Sequence, residues 1–127
     1  MRQFGKIQAD ISVLYKFITK DTGTPEQSVH QGTSRDISAT GLTLRAQLPE
    51  PSILHSIISG NTYIGLNIIL PNRESPVKAL SRLIWLEIDE RDPRFIHMGL
   101  KFVTIDKSDK DELTRFVIRS QISRGSL

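Results

Sequence analysis

The chain has 127 residues, enough for one domain that buries roughly two-thirds of its unfolded surface and too few for two full domains. Hydrophobic residues make up 38% of it and charged residues 24%, a globular balance that excludes a disordered or fibrous chain. The 17 basic and 14 acidic residues leave a net charge of +3, too small to argue for a nucleic-acid polymer. The absence of cysteine excludes a disulfide scaffold and a thiolate metal site, and fits a reducing compartment. Apolar runs fall short of the ~18 residues that span a bilayer, and the first six residues lack a signal peptide's apolar run, so a cytoplasmic location without membrane insertion is expected.

From Ile7 to Phe17 the odd positions are Ile7, Ala9, Ile11, Val13, Tyr15 and Phe17, with mostly polar residues between them, the period of two of a half-buried strand. Lys20 to Pro25 reads as a turn, followed by a weakly apolar second strand from about Gln27 to Arg35, expected at a sheet edge. The stretch Asp36 to Gly41 reads as an interruption, after which Leu42 to Ala46 resumes alternation as the antiparallel neighbour. Pro49 to Gly60 is expected to be a loop with one helical turn. Three more strands are predicted: Tyr63 to Leu70 with Ile64, Leu66, Ile68 and Leu70 on one face, Val77 to Leu86, and Phe95 to Val103 with Ile96, Met98, Leu100 and Phe102 inward. Ser108-x-x-Asp111 reads as a capping-box variant opening a helix whose Leu113, Phe116 and Val117 form its apolar stripe, and residues 120–127 are expected to fray.

The pattern is all-β with a C-terminal α-helix, its six strands joined by short turns suiting a small barrel or sandwich; the expected fold class is a six-stranded antiparallel barrel. One domain, 1–127, is expected, with a flexible arm at 1–6, a barrel over 7–103 and a helix over 107–121.

Catalytic chemistry finds little support. His30, His55 and His97 lie on separate segments without metal-ligand spacing, and neither a Gly-x-Ser-x-Gly elbow nor a Gly-x-Gly phosphate loop occurs. No enzyme, no catalytic residue and no metal site are therefore expected. Trp85, in the apolar run Leu83-Ile84-Trp85-Leu86, reads as core.

Two short motifs remain: Arg2-Gln3-Phe4-Gly5-Lys6 ahead of the first strand, and Asp36-Ile37-Ser38-Ala39-Thr40-Gly41 thirty residues on. With the barrel pattern, and with Gly99-Leu100-Lys101-Phe102 and Ile105-Asp106 before the last helix, the chain resembles the PilZ domain family over nearly its whole length. That family bears Arg-x-x-x-Arg and Asp/Asn-x-Ser-x-x-Gly at these places, within a split-barrel type of fold. The resemblance implies a non-enzymatic receptor for cyclic di-GMP that couples nucleotide binding to a protein partner in bacterial signalling, the partner itself being unspecified. Its implied ligand-binding residues here are Arg2, Lys6, Asp36, Ser38 and Gly41, with Gln3 and Arg35 as additional contacts.

Each of these residue types suits the ligand. Arg2 presents a planar fork to guanine or phosphate, Asp36 accepts from guanine N1 and N2, Ser38 donates to an acceptor, and Gly41 is expected to supply a positive φ. Lys6 stands where the family has its second arginine, keeping the charge and losing the fork. That departure supports an alternative reading: a degenerate PilZ-like interaction module that does not bind cyclic di-GMP.

Overall fold

A computed structural model of the chain describes residues 6–20, 28–71 and 73–123, with side chains described from Asp10 to Ile122 outside the two gaps. Its six strands are β1 (Lys6–Thr19), β2 (His30–Ser38), β3 (Gly41–Gln47), β4 (Thr62–Ile69), β5 (Val77–Ile88) and β6 (Phe95–Ile105), with α1 (Pro51–Ile58) between β3 and β4 and α2 (Lys107–Ser123) after β6. They close as an antiparallel barrel in the order β1-β2-β3-β6-β5-β4, the expected fold class. Closure leaves no strand at an edge, so the weakly apolar β2, expected there, is paired on both sides.

Alternation places the core where the periodicity predicts it. Val13, Ile37, Leu44, Ile64, Ile68, Ile96 and Met98 are completely or almost completely buried inside the barrel, each such aliphatic side chain contributing about 1.5–3 kcal/mol relative to exposure. Phe102 is only partly buried, packed against that core. The two helices serve opposite ends. At one end α1 buries Ile57; at the other α2 buries Leu113 and Val117, with Phe116 partly buried beside them.

Several details differ from the sequence reading: β2 runs on to Ser38, β5 to Ile88 and β6 to Ile105. The Pro49–Gly60 stretch forms a two-turn helix, because Pro51 suits a first helical position and Gly60, at φ 83°, ends it just past the Ser59 cap. The second helix begins at Lys107, where the carbonyl of Asp106 accepts from Lys110 N, so Ser108 lies in its first turn rather than at its N-cap. It runs on to Ser123, and residues 124–127, part of the end expected to fray, lie outside the described residues, as do residues 21–27 of the first loop.

Register shifts matter more for the surface. A bulge in β2 between Ser34 and Ile37 and another in β5 between Leu83 and Trp85 each add one residue against the partner strand. A one-residue shift exchanges core and solvent faces beyond it. Two buried hydroxyls hold irregular stretches: Ser34 Oγ donates to the carbonyl of Asp36 at 3.2 Å, spanning the first bulge, and Ser81 Oγ donates to the carbonyl of Ile64 at 2.8 Å.

Candidate functional site

On the wall formed by β2, β3, β6 and β5 the two bulges act together. Ser34 opposes Leu44 and Ile37 opposes Leu42, so the bulged Arg35-Asp36 pair sits across from Thr43 and Asp36 leaves the core phase that unbroken alternation would have assigned it. Leu83 opposes Leu100 and Trp85 opposes Gly99, so Trp85 likewise leaves the core phase. Trp85 is 45% exposed. The expectation of a core tryptophan is therefore corrected: one extra residue, Ile84, turns it outward.

Asp36, Ser38, Gly41, Thr43, Trp85 and Gly99 line one pocket of about 190 Å³. Two glycines shape it by different means. A Cβ on Gly99 would overlap the Trp85 indole, so the missing side chain is what lets the ring lie against the strand. A Cβ on Gly41 would overlap the carbonyl oxygen of Leu100, so this glycine permits close approach of β3 to β6. Its requirement is steric; among the described residues, the glycine with positive φ is Gly60, which corrects the expectation for Gly41.

The motif expected as an interruption is mostly strand. Asp36 to Ser38 complete β2, and only Ala39 and Thr40 connect it to β3. Ser38 organises that connection: its Oγ accepts from Thr40 N at 3.2 Å, donates to the carbonyl of Gly41 at 3.3 Å and lies 3.2 Å from Thr40 Oγ1. The carbonyl of Thr40 in turn accepts from Phe102 N at 2.9 Å, tying the turn to β6.

Of the other sequence-predicted residues, Lys6 is the first residue of β1, paired with Ser38 by backbone register, so the chain enters the barrel directly beside the motif turn. Arg2 and Gln3 lie outside the described residues. Arg35 is exposed on the β2 bulge and does not line the pocket.

One rung along the wall, Arg45 pairs with His97 across β3 and β6. Both reach one acceptor: Arg45 Nε donates to Asp89 Oδ2 at 3.0 Å and His97 Nε2 lies 2.9 Å from the same oxygen, while Asp89 Oδ1 accepts from the backbone N–H groups of Arg91 and Asp92. The Arg45 guanidinium also sits 3.9 Å from the centre of the Phe95 ring. The Arg45 hydrogen bond, followed by that of the Arg91 amide, holds the Asp89 carboxyl well below the usual carboxylate range, against the opposing effect of desolvation. Asp92 is lowered too, chiefly by the Arg94 side chain. Sequence reasoning missed this cluster, because joining Arg45 and His97 to Asp89 requires the strand register.

A larger cavity, about 420 Å³, lies on the wall of β1, β4 and β5 around Gly65, Leu80 and Lys78 and contains none of the predicted site residues. Among the described residues no group of three His, Asp or Glu side chains is arranged to hold a metal ion, and no helix is long and apolar enough to cross a membrane.

The family model described as PilZ domain matches residues 2–119. Among solved structures, the Bacillus subtilis inhibitor of motility MotI/DgrA is similar with a TM-score of 0.69 at 20% identity, over 97% of this chain and 52% of that one. The PilZ domain of YcgR from Escherichia coli, solved with c-di-GMP, gives a TM-score of 0.58 at 14% identity with both chains wholly covered. The Borreliella burgdorferi PlzA protein in complex with c-di-GMP gives 0.58 at 11% identity, over 94% of this chain and 52% of that one. The chain thus spans about half the length of two of these three structures. No curated protein matches it.

Proposed function

The chain belongs to the PilZ domain family, and we propose that it is a non-enzymatic cytoplasmic receptor for cyclic di-GMP that couples binding of the nucleotide to a protein partner. The observation that carries this reading is the convergence of Asp36, Ser38 and Gly41 on a single pocket with the exposed Trp85 and the bare Gly99 backbone. A carboxylate accepts from the guanine N1 and N2 donors, a hydroxyl donates to a base or phosphate acceptor, and an indole face offers stacking, which contributes about 1–3 kcal/mol per base in nucleic-acid sites. The leader residues Arg2 and Lys6 supply cations to the phosphodiesters, with Gln3 and Arg35 as outlying contacts. The backbone pairing of Lys6 with Ser38, a residue that lines the pocket, supports that role.

Isothermal titration of the chain with cyclic di-GMP tests the reading. Saturable binding is expected, lost in Asp36→Ala and Arg2→Ala and tightened in Lys6→Arg; no saturation at high micromolar ligand overturns it. One observation favours the alternative of a nucleotide-independent interaction module: the Ser38 hydroxyl is already engaged within its own turn. On that reading the titration is silent, and a partner binds equally with and without the nucleotide.

A further inference from the structure

Arg82 on β5 and Lys101 on β6 are directly opposed in the ladder, and both are exposed. Like charges placed opposite each other on adjacent strands destabilise the pair, since directly opposed Cβ atoms stand only about 4.5–5.5 Å apart. Two basic residues nearby are compensated: Arg45 on β3 by Asp89, and Arg94 just ahead of β6 by Asp92. No ion pair or hydrogen bond of the Arg82 or Lys101 side chain occurs among the described residues.

Their position gives this unrelieved repulsion a use. Lys101 is paired on its other side with Gly41, and the rung beyond is Thr43, Gly99 and Trp85, all lining the pocket. Two residues along a strand is about 6.6–6.8 Å, so the cationic rung borders the pocket. At about 190 Å³ the pocket is smaller than the roughly 300–1,000 Å³ that encloses a drug-sized ligand, so a dinucleotide seated by one base extends over neighbouring surface.

We propose that Arg82 and Lys101 form a subsite for a phosphodiester anion. Building on the receptor reading above, the subsite holds a backbone phosphate of cyclic di-GMP while a base occupies the pocket beside Trp85. The anion replaces the repulsion of two like charges by two charge-assisted contacts, and Arg82 contributes a planar fork that the ammonium of Lys6 lacks.

Two measurements test this. Titration of Arg82→Ala and Lys101→Ala with cyclic di-GMP is expected to show about three- to tenfold weaker binding for each, with a shallower dependence on salt. The unliganded variants are expected to melt no lower than wild type, because each loses half of a repulsive pair. In the second measurement, NMR of the wild-type chain titrated with inorganic pyrophosphate is expected to perturb the Arg82 and Lys101 signals, and the double variant is expected to abolish the response. Wild-type affinity and salt dependence in both variants, or pyrophosphate shifts that leave residues 82 and 101 untouched, overturn the subsite. A wild-type chain that ignores cyclic di-GMP while pyrophosphate still shifts those two residues overturns the receptor reading and leaves the anion subsite standing.

Discussion

Two charged groups share one barrel wall and are built in opposite ways. Arg45 and His97 converge on a single oxygen of Asp89, whose other oxygen fastens the β5–β6 turn, so the Arg45 charge and the His97 ring nitrogen are consumed by structure. Arg82 and Lys101, also paired across neighbouring strands of that wall, face each other without an anion among the described residues. A net charge of +3 describes both groups equally poorly. The arrangement of counter-charges, rather than their sum, separates a cation that holds the fold from one available to a ligand.

The comparison can be broken most severely by removing the wall on which both groups sit. Gly41→Ala places a Cβ against the Leu100 carbonyl, a backbone atom that cannot step aside, and is expected to cost about 2–3 kcal/mol in urea denaturation. Gly99→Ala meets instead the Trp85 indole, an exposed side chain free to swing away. Its cost is expected to be about 1 kcal/mol, accompanied by a change in tryptophan fluorescence and weaker cyclic di-GMP binding.

Asp89→Asn sharpens the contrast by weakening the compensated group. The folded carboxyl titrates below its ordinary value of 3.8, so its contribution to stability is complete above about pH 4 and disappears as pH falls toward the depressed folded value. Melting temperature followed from pH 7 to pH 2 is expected to fall less steeply below pH 4 in Asp89→Asn than in wild type, from a lower starting point. The smallest effect belongs to an ion pair remote from the wall. Arg115 Nη1 meets Glu112 Oε1 at 2.7 Å on the exposed face of α2, and Arg115→Ala is expected to change stability by less than about 0.5 kcal/mol in the same urea experiment.

Much of the barrel is legible in the chain. Ile64, Leu66 and Ile68, or Ile96, Met98 and Leu100, declare their buried face because strand side chains alternate strictly and apolar groups leave water together. The same rule misassigns Trp85, since a bulge changes phase without any marker in local composition. Asp36 and Ser38 were recognisable as motif residues, yet their place within β2 follows from pairing with Gln8 and Lys6 of β1, which overrides their preference for turns. The Asp89 cluster joins positions 44 and 8 residues apart, and Arg82 meets Lys101 across a hairpin; neither contact has a short-range signature.

Alternation and turn residues alone determined six half-buried strands and a closing helix, because burial of apolar side chains acts on every strand through the same two-residue period. Tertiary structure decided which side chains share a surface. Two bulges, two glycines and the closure order β2-β3-β6-β5 brought Asp36, Ser38, Trp85 and the Arg82–Lys101 rung onto one wall. Register between strands distant in the chain is a property of the assembled sheet, where a shift of one residue exchanges inside for outside.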